Sequence, residues 1–158
     1  MKRKSVRIYS FTGTGSRLAL NLAEKLKQEG YVCTGYTVAR FAEDKRLQRL
    51  NDGWKQEIGA SWGEHALVFI GAAGIAIRAI APFVKDKFTD PPVIVLDEKG
   101  TFAIPLLSGH VGGGVTLAKV LAEYTGGRAV ITTATDVQKK FAADVFAMEN
   151  GLVITDRE

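Results

Sequence analysis

The chain has 158 residues, 46% hydrophobic and 24% charged, with a formal net charge of +4. That length supports one ordinary core, or one domain and the beginning of another. The lysines and arginines are scattered, which excludes the dense basic stripe of a nucleic-acid binder, while a modest positive balance suits an anionic small molecule.

Cys33 is the only cysteine. No disulfide framework or thiolate zinc site forms within such a chain, and a reducing cytoplasm is expected. The two histidines lack metal-ligand spacing, so no protein-bound metal is expected. The basic start MKRKSVRIYSF lacks the apolar region and cleavage site of a signal peptide. The apolar run Ala66–Val84 has about the length of a membrane span. Arg78, Pro82 and two glycines interrupt it, and a strand, a turn and a helix account for it better.

In chain order, Val6–Ser10 reads as a strand and Thr12–Ser16 as a turn. Leu18, Leu22 and Leu26, with Ala19 and Ala23, form an apolar face at helical spacing, and Gly30 is a suitable stop. Tyr31–Val38 reads as a second strand. Leu47, Leu50, Trp54 and Ile58 repeat at threes and fours, which predicts a second helix. Ala66–Ile70 is a buried strand, then a Gly71–Gly74 turn, then a helix from about Ile75 with Ile77, Ile80 and Val84 inward. After Pro91-Pro92, Val93–Leu96 and Thr101–Leu106 flank Asp97-Glu-Lys-Gly100, a hairpin signature. A glycine-rich turn follows, then a helix bearing Leu117, Val120, Leu121 and Tyr124, stopped by Gly126-Gly127. Ala129–Thr133 reads as a strand, Val137, Phe141 and Val145 as a helix, and Leu152–Thr155 as a last strand. Alternating strands and helices predict an α/β fold with a mainly parallel open sheet, helices on both faces in Rossmann-like layers, and one β-hairpin. Residues 1–133 read as an N-terminal domain with a glycine-rich ligand cleft. Residues 134–158 read as its last βα unit or the start of a central domain.

Several turns have the makings of a site. Gly13-Thr-Gly15-Ser16 lies between a strand and a helix, where backbone N–H groups can cradle an anion. It matches a dinucleotide fingerprint only in part, since Leu18 stands where a third small residue belongs. Its plainer use is a structural turn with Ser16 as a cap. Arg40, after the second strand, can meet a 2′-phosphate or remain solvated. Gly71 and Gly74 can admit an anion or pack the helix tightly. Arg78 lies in an apolar stretch, so a carboxylate partner is expected: Asp86, Asp90, Asp97 or that of a ligand. His110 sits in the glycine-rich turn after the hairpin, where an imidazole can move protons near neutral pH or order the loop. Ser108 can cap or bind ligand. Thr132-Thr-Ala-Thr-Asp136 ends a strand, and Thr135 or Asp136 can cap the next helix or line a cleft with His110. Asp97 reads as turn chemistry, and His65 as structural or exposed.

Four blocks occur in order: G-I-A-I-R-A-I-A-P from Gly74, K-D-K-F-T-D-P from Lys85, P-L-L-S-G-H-V-G-G from Pro105 and I-T-T-A-T-D from Ile131. Together they resemble the CbiG family of cobalamin-biosynthesis proteins, densely from Gly71 to Asp136 and weakly on either side. One departure is Gly114-Val115, where the family usually has Ala-Asn. The resemblance implies a cobalt-precorrin-5A hydrolase, which opens a δ-lactone and expels acetaldehyde to give cobalt-precorrin-5B. It implies an anionic tetrapyrrole substrate that carries its own cobalt, hence no resident cofactor; the scattered charges and the interrupted apolar run separately predict no nucleic-acid or membrane partner. Family members usually carry a C-terminal domain that this sequence lacks, which leaves room for a separate partner polypeptide and for a homodimer. For such chemistry His110 is the expected base or acid, with Asp136 orienting it. Gly112 and Gly113 would supply oxyanion N–H groups. Gly71, Gly74, Arg78, Lys85 or Lys87, Ser108, Thr133 and Thr135 would bind substrate. The alternatives are an NADP-dependent oxidoreductase resting on Gly13, Gly15 and Arg40, and a non-catalytic corrinoid-binding module.

Overall fold

The computed structural model describes residues 4–108, 112–137 and 143–153. In chain order these form β1 (Ser5–Ser10), α1 (Gly13–Gln28), β2 (Val32–Thr37), β3 (Leu47–Arg49), α2 (Trp54–Ala60), β4 (Ala66–Ile70) and α3 (Ala73–Ile80). There follow β5 (Val93–Leu96), β6 (Phe102–Leu107), α4 (Gly114–Thr125), β7 (Arg128–Ala129), α5 (Ala134–Val137) and α6 (Ala143–Glu149). The strands make one sheet in the order β3-β2-β1-β4-β5-β6-β7. The first five run parallel; β6 turns back antiparallel to β5, and β7 runs parallel to β6. This is the expected mainly parallel sheet with one hairpin.

Strand periodicity builds a core on each face. Val6, Ile8, Val68, Ile70, Ile94 and Leu96 point to one side, where Leu22 and Leu26 of α1 and Leu117 and Leu121 of α4 cover them. Tyr9, Leu67, Phe69, Val93 and Val95 point to the other, against Ile58 of α2 and Ala76, Ala79 and Ile80 of α3. Helices therefore lie on both faces. The cap of α1 is Thr12 rather than Ser16: Thr12 Oγ1 accepts the Gly15 N–H at 2.9 Å. Ser16 is buried inside the helix and bonds the Thr12 carbonyl and the Thr37 hydroxyl. Gly30 ends the helix as expected, at φ +87°, with Tyr31 N–H bonded to the Leu26 carbonyl and Gly30 N–H to that of Lys27.

The structure corrects four further expectations. Leu47 and Leu50 are not helical. Leu47 starts the edge strand β3 opposite Gly35, where a Cβ would meet Leu47 Cδ2 at 2.6 Å, so the leucine fills the space the glycine leaves. Ile77 and Val84 are exposed, and Ala76, Ala79 and Ile80 form the inward face of α3. The strand at Ala129–Thr133 is only Arg128–Ala129. Leu152 and Val153 are not in a strand, and the rest of that segment lies outside the described residues, as does Phe141. Among the described residues no helix is long and apolar enough to cross a membrane.

Burial of Cys33 in β2 pushes its thiol from near 9 up to about 11, against an opposing pull from Lys27. The unfolded thiol therefore ionises first as pH rises. Cys33 contributes stability that is complete below about pH 9 and lost towards pH 11, about 1 kcal/mol by pH 10. Urea midpoints at neutral pH and at pH 10 are expected to diverge more in the parent chain than in Cys33→Ala. Equal divergence would remove this account.

Candidate functional site

Because β6 runs against β5, the glycine-rich turns after β4 and β6 lie at opposite edges of the sheet. Gly71 donates its N–H to the Leu96 carbonyl, at the C-terminal end of β5. Ser108 donates its hydroxyl to the Asp90 carbonyl at 2.9 Å, just before β5 begins. The expected substrate-binding residues are therefore divided. Gly71, Gly74 and Arg78 belong to one edge. Lys85, Lys87, Ser108, Gly112, Gly113, Thr133 and Asp136 belong to the other, where β6 and β7 both end. His110, with Gly109 and Val111, lies outside the described residues, as does the side chain of Thr135.

The second edge is built around Asp90, the one buried carboxylate among the described residues; the sequence offers it only as a partner for Arg78. Its carboxylate accepts the Trp62 indole N–H at 2.9 Å and the Lys85 backbone N–H at 3.0 Å. Ser108, held from behind by Asp90, has φ +50°, the left-handed region that non-glycine residues rarely adopt. Its carbonyl accepts the Gly114 N–H, and a Cβ at Gly112 would fall 2.7 Å from that carbonyl oxygen. Only glycine fits there. Ser108 is thus not the cap of α4; its hydroxyl proton goes to the segment leading into β5. The α4 cap is Gly113, at φ +85° with no side-chain acceptor. Val115 is buried. Thr133 rather than Thr135 or Asp136 precedes α5: its carbonyl accepts the Val137 N–H and its hydroxyl donates to the Asp136 carboxylate.

At the first edge a cavity of about 650 Å³ opens beside the point where the strand order passes from β1 to β4. Open α/β sheets bind ligands at such switch points. Phe11, Trp54 and Ile75 give it apolar walls, and Arg49, Lys55 and Arg78 line it with positive charge, against one carboxylate, Asp52. Trp54 packs on Tyr9 and Phe11 with ring centres 5.6 and 5.7 Å away. Arg78 is exposed, so the expected cost of burying it does not arise. Its guanidinium folds back towards the start of α3, where a Cβ at Gly74 would lie 3.0 Å from Nη1. Asp90 is engaged by Trp62 and Lys85, Asp86 by Phe88 and Thr89, and Asp97 by Phe102 and Lys99 of its own turn. No ion pair forms at Arg78 among the described residues. Arg49, Lys55 and Trp54 are not legible as site residues in the sequence because residues 47–58 have the spacing of one helix, and Phe11 has no local signal beyond following β1. The signal available was Gly53 before Trp54, which interrupts that helix.

The turn at Gly13–Ser16 is occupied by the chain itself. The Phe41 ring lies 3.4 Å from where a Gly13 Cβ would stand, and Gly15 packs on Ile70. Thr12 Oγ1 donates to the Glu98 carboxylate at 2.8 Å, which puts negative charge beside the start of α1. Arg40 rests over the Phe41 ring. A dinucleotide phosphate has no open cradle here, and the oxidoreductase alternative loses its basis. His65 bonds Ser5 through Nδ1 at 2.7 Å, and burial lowers its pKa, as a structural histidine should behave.

Fold and site define a Rossmann-like α/β domain with an aromatic, cationic crevice at its switch point and, at the opposite edge, Ser108 and Gly112 fixed on either side of residues 109–111. The family profile described as Cobalamin synthesis G N-terminal matches residues 58–136, half of the chain, and the chain belongs to that family. It is 38% identical over 166 aligned positions to the cobalt-precorrin-5A hydrolase of Salmonella typhimurium, covering 99% of this chain and 43% of that protein. It is 32% identical to the cobalt-precorrin-5A hydrolase of Priestia megaterium, covering 96% of this chain and 41% of that protein. The crystal structure of a cobalamin biosynthesis protein G homolog from Sulfolobus solfataricus superposes with a TM-score of 0.63 at 26% identity, over 81% of this chain and 36% of that one. The chain thus spans less than half the length of these relatives.

Proposed function

We propose that the chain acts in the hydrolysis of cobalt-precorrin-5A, in which the δ-lactone opens and acetaldehyde leaves to give cobalt-precorrin-5B. The observation that carries this is the alignment with the Salmonella hydrolase through 99% of the chain, both glycine-rich turns included. Lactone opening needs a group that takes a proton from water and donors for the developing oxyanion. His110 serves as that acid–base group, and Asp136, with Thr133 and Thr135 beside it, orients it. The N–H groups of Gly112 and Gly113 receive the oxyanion. Lys85 and Lys87, on the same edge, meet substrate carboxylates. The metal in this reaction belongs to the substrate, and no resident cofactor is assigned. A single buried cysteine suits work in a reducing compartment such as the cytoplasm.

The test is acetaldehyde release from cobalt-precorrin-5A, with and without the remaining length of a full relative. Release in either mixture that depends on this chain is the expected result. Substrate binding without release in both mixtures would overturn the catalytic assignment and favour a binding module.

A further inference from the structure

We propose that the crevice beside the β1–β4 switch point is a separate recognition site for a flat, conjugated polycarboxylate, held by Arg49, Lys55 and Arg78 against Phe11 and Trp54. Its position is at the edge opposite the Ser108 turn, so it anchors a ligand away from the proposed catalytic groups. The two edges are a strand length apart, roughly 15 Å.

Three observations converge on this site. The first is uncompensated charge. Arg46 shows what this chain does with a guanidinium near carboxylates: it pairs with both Glu24 and Asp44. Arg49 and Arg78 form no ion pair among the described residues, although they line one cavity with Lys55. Gathering like charges around a cavity raises its potential, and an entering anion relieves the repulsion. The second is the wall chemistry. Phe11 and Trp54 present aromatic surface beside the cations, and Trp54 is fixed by Tyr9, which itself stacks between Tyr36 and Phe69. Guanidinium groups bind carboxylates in bidentate fashion, and indole offers stacking surface to a conjugated ring. The third is size: about 650 Å³ lies within the range of small-molecule sites. Phosphate chemistry is less well served at the Gly13–Ser16 turn, which the Phe41 ring and the Glu98 carboxylate occupy.

The inference rests on the proposed function only for the choice of a tetrapyrrole as probe. Uroporphyrin, a stable macrocycle with eight carboxylates, is titrated into the full chain, read by calorimetry and by tryptophan quenching. Trp62 lies at the other edge against Asp90, so Trp54 is the reporter, and Trp54→Phe is expected to remove most of the quenching. Arg78→Gln and Arg49→Gln are each expected to weaken binding about tenfold, as loss of a charge-assisted bond should. Added salt is expected to weaken it further. Lys119→Gln, exposed on α4 and outside the cavity lining, is expected to leave it unchanged. Absence of binding, equal affinity in the arginine variants, an equal loss in Lys119→Gln, or tighter binding of ATP than of the macrocycle would each overturn the proposal. Melting curves identify any variant that fails to fold, and Lys55→Gln then replaces it. This titration reads binding and the acetaldehyde assay reads turnover, so either can fail while the other stands.

Discussion

His110→Ala is expected to lower acetaldehyde release by about 10²–10⁴, the range associated with losing a positioned acid–base group. The chain has two histidines, and the other is engaged. His65 is bonded to Ser5, and burial together with the Arg7 charge pushes its pKa below the ordinary value, which keeps it neutral around pH 7. Under the proposed function His110 is the imidazole assigned to move a proton near neutrality. The turn that carries it is anchored on its strand side: Ser108 is held in the left-handed region by its bond to Asp90, and Gly112 fits where no other residue does. Backbone strain of this kind persists only where the surroundings enforce it, and it concentrates at functional sites. The pH–rate profile supplies a readout that a structural role would not move. The inflection in the imidazole range should vanish in the variant, while its melting temperature stays near that of the parent. Near-normal release from a folded His110→Ala protein would sink the assignment.

Gly127→Ala is expected to destabilise the fold by about 3 kcal/mol, the upper part of the range for overpacking. A Cβ there would stand 2.2 Å from the Gly100 carbonyl oxygen and 2.6 Å from that of Thr101. Both are backbone atoms of the β5–β6 turn, so no side chain can swing aside. The turn cannot retreat, because Gly100 N–H bonds Asp97 and Phe102 N–H bonds the Asp97 carboxylate. Nor can residue 127 move outward without breaking the bond from Arg128 N–H to the Thr101 carbonyl, which starts the pairing of β7 with β6. A fall of about 10 °C in melting temperature follows for a chain of this size. Gly53→Ala is the control. Its Cβ would meet nothing closer than 3.5 Å, and a change within about 0.5 kcal/mol is expected. Parent-like melting of Gly127→Ala would show that β7 is not locked over the hairpin turn.

Residues that announce themselves over short range behaved as the sequence implied. Alternating Val68–Ile70 and Ile94–Leu96 against Leu67–Phe69 and Val93–Val95 became the two faces of a sheet with helices on both sides. Gly30 stopped α1, and Asp97–Gly100 made the hairpin turn. Misreadings came where a partner distant in sequence decides. The spacing of Leu47, Leu50, Trp54 and Ile58 suits a helix, but the gap over Gly35 draws Leu47 into a strand. Ile77 has helical spacing to Ile80, yet the small Ala76 and Ala79 let α3 lie close on the sheet and leave Ile77 outside.

For the site the same division holds. The order and chemistry of the motif blocks determine the family, because each block carries its identity in neighbouring residues. The hydrogen-bonding partners of Asp90, and the meeting of Arg49, Lys55 and Arg78 around one cavity, are not visible in those blocks. They follow from strand order. The sequence alone determined an α/β chain of this family with a histidine in a glycine-rich turn. The hairpin signature at Asp97–Gly100 already reverses β6. Only the tertiary structure decided that β7 pairs parallel to β6, and that Arg49, Lys55 and Arg78 meet at the other edge, because these meetings join residues far apart in sequence, which no local pattern records.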